Sequence, residues 1–165
     1  MSSTTEPMCG ELFATPSVNE PLVVERTIGA AREAVFQAWT ETAQLLQWFG
    51  PEGFSVKHAE VELKQGGRYQ IAIESPSGTV IQHYGVYREI KAPEKLSFTW
   101  ILKNQQCEGS RDQCANTLVT IEFFAVDASH TRVVLTHEFL PSEPARAGHA
   151  FAWGSSFDRL QKFIS

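Results

Sequence analysis

The sequence has no apolar run near the roughly 20 residues a helix needs to cross a bilayer. It has no run of Lys or Arg, and only three cysteines among its 165 residues. Each absence removes a class of function. No membrane-spanning helix is expected. With 14 basic residues against 19 acidic ones and a net charge of -5, the chain lacks the concentrated basic field that binds phosphate backbones, so no nucleic-acid partner is expected. The first 20 residues hold three Glu, two Pro and no basic residue. They therefore lack the basic start of a secretory signal. They read as a polar arm (1–20) ahead of one domain (21–165), in a cytoplasmic protein. A single domain of this size buries a core without staples.

The cysteines are too few and too scattered for a framework. Cys9 lies in the arm, while Cys107 and Cys114 flank "EGSRDQ". A bridge across a hairpin tip and free thiols in a reducing compartment both remain open there. No Cys or His lies near enough to complete four ligands, so no metal is expected. G-x-S-x-G, H-E-x-x-H, C-x-x-C and a glycine-rich phosphate loop are all missing, and no cofactor is expected.

What is present is periodicity. "LVVERTI" (22–28) is β-branched and strand-like. "GAAREAVFQAWT" then changes to helical spacing, with Ala34, Val35, Ala38 and Trp39 on one side. Thr40 or Thr42 is placed to cap a second short helix, "ETAQLLQWF", whose apolar face combines Leu45, Leu46, Trp48 and Phe49. Gly50-Pro51 stops it. Strand signals follow for about ninety residues, punctuated by "GG", "SPSG", "KAPEK" and "DASH". Tyr69, Ile71 and Ile73 alternate in "RYQIAIE", and Leu96, Phe98, Trp100 and Leu102 alternate in "LSFTWIL". Such alternation predicts an antiparallel sheet covered on one face. The cover comes last: His149, Trp153, Phe157, Leu160 and Ile164 recur at steps of four, four, three and four, which is one helical stripe. The fold class is therefore α+β, a curved sheet of about seven strands gripping a long C-terminal helix, with two short helices between strands 1 and 2.

This order, together with "AAREAVFQAWTETAQLLQWFGPEGF", "GGRYQI", "GVYREIKAPEKLSFTW", "LTHEFL" and "HAFAWGSSFDRLQKF", resembles the START-like, Bet v-type helix-grip (SRPBCC) superfamily. Within it the chain is similar to the family related to the C-terminal domain of the activator of the heat-shock protein 90 ATPase. The resemblance implies a tapering cavity between sheet and helix, and places "WFGPEGF" near one end of it. Trp48 and Phe49 then either close the core, line a ligand mouth, or form a partner patch.

The inward set predicted to line a ligand cavity is Trp48, Phe49, Tyr69, Ile71, Ile73, Phe98, Trp100, His137, Trp153 and Phe157. Its aromatic content suits a small apolar or aromatic ligand. His137 shares the parity of Val133, Leu135 and Phe139, and His149 opens the helix stripe, so these two are the candidate acid–base groups of an alternative cyclase- or hydrolase-type enzyme. His83 and Tyr87 share a parity, but Gly85 between them leaves their facing open. Glu60, Glu62 and Glu89 should face water, although the parity change between Val56 and Val61 hints at a bulge able to turn one inward. A third reading is an interaction module with a chaperone partner, weakened because the expected single domain lacks the co-chaperone's additional N-terminal domain. A homodimer through sheet edges, with Tyr84 or Tyr87 and Phe124 outward, is also open.

Overall fold

The computed structural model describes residues 20–103 and 117–164; the arm before Glu20, with Cys9, and also Cys107, Cys114 and the Leu102 side chain lie outside the described residues. The elements run β1 (Leu22–Ile28), α1 (Arg32–Thr40), α2 (Thr42–Trp48), β2 (Ser55–Val61), β3 (Arg68–Glu74), β4 (Val80–Lys91), β5 (Lys95–Lys103), β6 (Thr117–Asp127), β7 (His130–Glu138) and α3 (Glu143–Ile164). All neighbouring strands are antiparallel, in the order β1-β7-β6-β5-β4-β3-β2. Six strands follow one another as a meander, and β1 joins the far edge beside β7. The curled sheet wraps α3, as the alternating pattern requires.

Period-two patterning fixes which side is buried. Tyr69, Ile71 and Ile73 of β3, Leu96, Phe98 and Trp100 of β5, and Val133, Leu135 and His137 of β7 are all buried. From α3, Trp153, Ser156, Phe157 and Leu160 meet them. The two short helices close one end of the core. Trp39 and Trp48 pack edge to face with centroids 4.8 Å apart, and the Trp48 indole donates to the Ala38 carbonyl at 2.9 Å. Trp48 thus has both its apolar surface and its polar atom satisfied inside the protein.

Several local expectations need correction. Neither threonine caps α2: its N-cap is Glu41, which forms no side-chain cap bond, and the Thr40 hydroxyl donates back to the Phe36 carbonyl. The helix ends at Trp48 rather than Phe49, because Gly50 takes φ +98° and Pro51 follows. Leu46 points to solvent, 45% exposed, since the buried arc of this two-turn helix is only wide enough for Leu45 and Trp48. Phe139 does not share the face of His137. β7 stops at Glu138, Phe139 adopts φ +70°, and its ring swings out to 69% exposure while Leu140 turns in. Tyr87 is buried, which leaves half-buried Tyr84 and exposed Phe124 on the outer face. The guanidinium of Arg132 sits 5.1 Å over the Phe124 ring.

The bulge anticipated in β2 is present between Val56 and His58. It leaves Glu60 and Glu62 exposed, and Glu89 is exposed as well. In β4 the register against β5 shifts between Tyr87 and Glu89, and just before it the two strands make a close contact at Gly85. A Cβ on Gly85 would stand 2.0 Å from the Thr99 carbonyl oxygen, so only glycine lets that carbonyl approach. The Thr99 carbonyl accepts the Tyr69 hydroxyl at 2.6 Å, and its own hydroxyl accepts the Val86 amide at 2.8 Å. Parity is kept through Gly85, so His83 and Tyr87 both face inward.

Candidate functional site

The aromatic loop "WFGPEGF" divides its work. Trp48 is core, whereas Phe49, Gly50, Pro51 and Phe54 form one wall of a cleft of about 380 Å³. Ile73, Ile81, His83 and Trp100 supply the sheet wall, and α3 supplies Ala145, Gly148, His149, Ala152, Trp153 and Ser156. The cleft exists because the helix side is small. Ala145, Gly148 and Ala152 face large residues on the sheet, and a Cβ built on Gly148 would meet nothing within 4 Å.

α3 also clasps the loop. One guanidinium nitrogen of Arg159 lies 3.0–3.3 Å from the carbonyl oxygens of Phe49, Gly50, Pro51 and Phe54. A nitrogen with two hydrogens shares itself among four acceptors there, and its charge compensates carbonyls that turn away from any strand. The Glu52 amide donates to the Ser155 hydroxyl at 2.8 Å, and Lys162 reaches the Glu52 carboxylate at 3.1 Å. The wall is therefore tied to the helix opposite it.

Of the predicted inward residues, the structure brings Phe49, Ile73, Trp100 and Trp153 to the cleft. Tyr69, Ile71 and Phe98 lie deeper, around a void of about 20 Å³ that shares Phe49 and Trp100 with the cleft. Trp48, His137 and Phe157 line neither. Trp153 meets Trp100 with centroids 4.8 Å apart, and Trp39 at 6.1 Å.

Behind this wall lies a hydrogen-bond chain that fixes two histidine tautomers. An indole N–H can only donate, so the bond of 3.1 Å from Trp153 Nε1 to His137 Nδ1 makes that nitrogen an acceptor. The proton of neutral His137 is then on Nε2, which donates to the Thr117 hydroxyl at 2.7 Å. Thr117 in turn donates to the Trp100 carbonyl at 2.8 Å. His149 shows the opposite tautomer. Its Nε2 accepts from Trp100 Nε1 at 3.3 Å, and its Nδ1 donates to the Ala145 carbonyl at 2.8 Å. Burial, assisted by the neighbouring His149, pushes His137 down to about 3. Burial also lowers His149, against a smaller opposing effect of the Ala145 carbonyl. Both rings are neutral and both use their two nitrogens within the protein. His149 lies in the second turn of α3, which starts at Glu143, so it is not at the anion-favouring N-terminus.

His83 differs. It is buried in the cleft wall, and its enclosed Nδ1 has no hydrogen-bond partner among the described residues. Burial dominates its acidity and pushes it down to about 3, with the Ile71 backbone opposing and His149 adding to the shift.

A family model described as activator of Hsp90 ATPase homolog 1-like protein matches residues 29–165. Among curated proteins none matches the chain. Solved structures share the fold. A protein from Chromobacterium violaceum superposes with a TM-score of 0.74 at 20% identity, covering 87% of this chain and 96% of its own. The AHSA1 protein from Silicibacter pomeroyi gives 0.73 at 25% identity, over 86% and 95%. A protein from Arthrobacter aurescens gives 0.77 at 19% identity, over 88% and 86%.

Proposed function

The chain belongs to the family of activator of Hsp90 ATPase homolog 1-like proteins, and on that premise we propose that it binds a small, mostly apolar ligand in the cleft between sheet and α3. The observation that carries this reading is the cleft itself: about 380 Å³, with an almost wholly apolar wall built from Phe49, Phe54, Ile73, Trp100 and Trp153. That volume lies within the range of small-molecule sites, which combine apolar walls with few polar groups. Among the described residues, the wall contains no Asp, Glu, Lys or Arg, so the ligand is neutral where it touches them.

Binding is favoured over catalysis by the same bonds that hold the histidines. A general acid–base needs a free nitrogen within reach of the substrate. His137 and His149 both have theirs engaged by protein groups. Native mass spectrometry of the purified protein, paired with thermal-shift measurements against lipids, polyketides and aromatic metabolites, tests the proposal. Retained mass or a raised melting temperature with apolar compounds supports it. No binding by any apolar compound that fits the cleft overturns it.

A further inference from the structure

Phe49 stands between two separate spaces. The cleft of about 380 Å³ lies on one side of it. On the other lies the inner void of about 20 Å³, bounded further in by Tyr69, Tyr87 and Phe98. Among the described residues, only Phe49 and Trp100 line both. The two are held differently. Trp100 belongs to β5, and its indole donates to His149 at 3.3 Å, so displacing it costs a buried hydrogen bond. Phe49 is pinned through its backbone: its amide donates to the Leu45 carbonyl at 3.0 Å, and its carbonyl accepts from Arg159 at 3.3 Å. The phenyl ring has no polar atom, and packing alone holds it. Its centroid lies 5.6 Å from that of Trp48, 6.0 Å from His83, 6.2 Å from Trp100, and 6.4 Å from both Trp39 and Trp153. A ring on a fixed backbone, enclosed by five others, is a wall rather than a flap.

Resting on the binding proposal above, we infer that Phe49 is the specificity-determining residue of the cleft: its ring is the stop that sets how deep an apolar ligand enters. The inner void holds about one water-sized group. That is too little for a ligand ring, so nothing of a ligand's size passes while the phenyl ring is in place. Substituents on the buried end of a ligand therefore meet Phe49, whereas those on its outer end extend past exposed Gly148 to solvent. The class of ligand that fits is a compact apolar ring system without bulk at its buried end. Removing the phenyl ring joins void to cleft, and Tyr69, Tyr87 and Phe98 then border space that takes an alkyl group.

Intermolecular NOEs from naphthalene and 2-ethylnaphthalene, with calorimetric affinities for both, test the assignment. In the wild-type protein both probes should touch Phe49, Trp100 and Trp153, and neither should reach Tyr69 or Tyr87. Their affinities should agree within about threefold, because the ethyl group is left near solvent. In Phe49→Ala the ethyl group should contact Tyr69 and Tyr87. There 2-ethylnaphthalene should gain about tenfold over naphthalene, the gain expected for two buried carbons. Phe49→Leu, which keeps a smaller apolar side chain, should give a smaller gain of the same sign. The indole N–H of Trp48, bonded to Ala38, reports whether each variant is folded; if Phe49→Ala is not, Phe49→Leu decides. Contacts with Tyr69 or Tyr87 in the wild type, or folded variants in which the ethyl group still stays out of the void, would overturn the assignment and leave the cleft proposal standing. If neither probe touches Trp100 or Trp153 in the wild type, both fail.

Discussion

Acidification from pH 7 to pH 5 should destabilise this protein by about 4 kcal/mol through His83 and His137. Both are held near 3 in the folded chain, against an ordinary 6.5. A folded value below the unfolded one means that, as pH falls through 6.5, the unfolded chain takes up protons the native state refuses. Stability is then lost steadily toward pH 3. At pH 5 an unfolded imidazole is almost wholly protonated and a native one still neutral, a difference of about 2 kcal/mol per residue relative to pH 7. That figure barely depends on the exact native value, provided it lies well below 5. The carboxylates held below their usual range, Glu62 and Asp127, are exposed and lose their contribution only below 4.5 and 3.8, so the window from 7 to 5 belongs to the histidines. Urea unfolding at the two pH values, checked for equal slopes, gives the number. Nitrogen NMR should show His137 protonated only on Nε2 at both. Stability that stays level within about 1 kcal/mol, or a folded His137 that titrates near 6.5, would refute the reasoning.

Three substitutions probe the packing of the sheet and the cleft. Trp153→Phe removes the donor to His137 Nδ1 and part of a buried indole, and should cost about 2–4 kcal/mol in urea unfolding. Gly85→Ala forces a methyl group into the Thr99 carbonyl, so its melting temperature should fall by an amount equivalent to about 2 kcal/mol or more. Arg159→Met leaves the loop carbonyls without their guanidinium; about 1.5–3 kcal/mol should be lost, with amide exchange accelerated at Gly50 and 52–54 before the strands.

Strand parity was legible in the sequence because one face of the sheet is covered. Leu22–Ile28 and Arg68–Glu74 fall where the alternation puts them. The long stripe of α3 was legible for the same reason, and Trp153 meets Trp100 as its spacing predicts. What failed was whatever depends on one backbone angle: the left-handed turn at Phe139 breaks a parity that runs unbroken through His137. The site was only half visible. Aromatic residues announce an apolar interior, but whether a ring fills space or borders it depends on what stands opposite. Here small Ala145, Gly148 and Ala152 decide that. Their spacing of three and four on the α3 face was the available signal. The indole–histidine bonds and the Arg159 clasp join residues 16 to 110 positions apart. No local pattern encodes those pairings.

The central claim is that the space between Trp100, Trp153 and Gly148 receives a ligand, and indole resonances report on it directly. The chain has four tryptophans, two of which border the cleft. On titration with naphthalene, the indole N–H signals of Trp100 and Trp153 should shift together, while that of Trp48, enclosed and bonded to Ala38, stays in place. Gly148→Leu puts a side chain into the open space while improving helix propensity by about 0.8–1 kcal/mol. It should abolish those shifts and leave the protein folded. Shifts that persist in Gly148→Leu, or indoles that never respond in the wild type, would contradict the account.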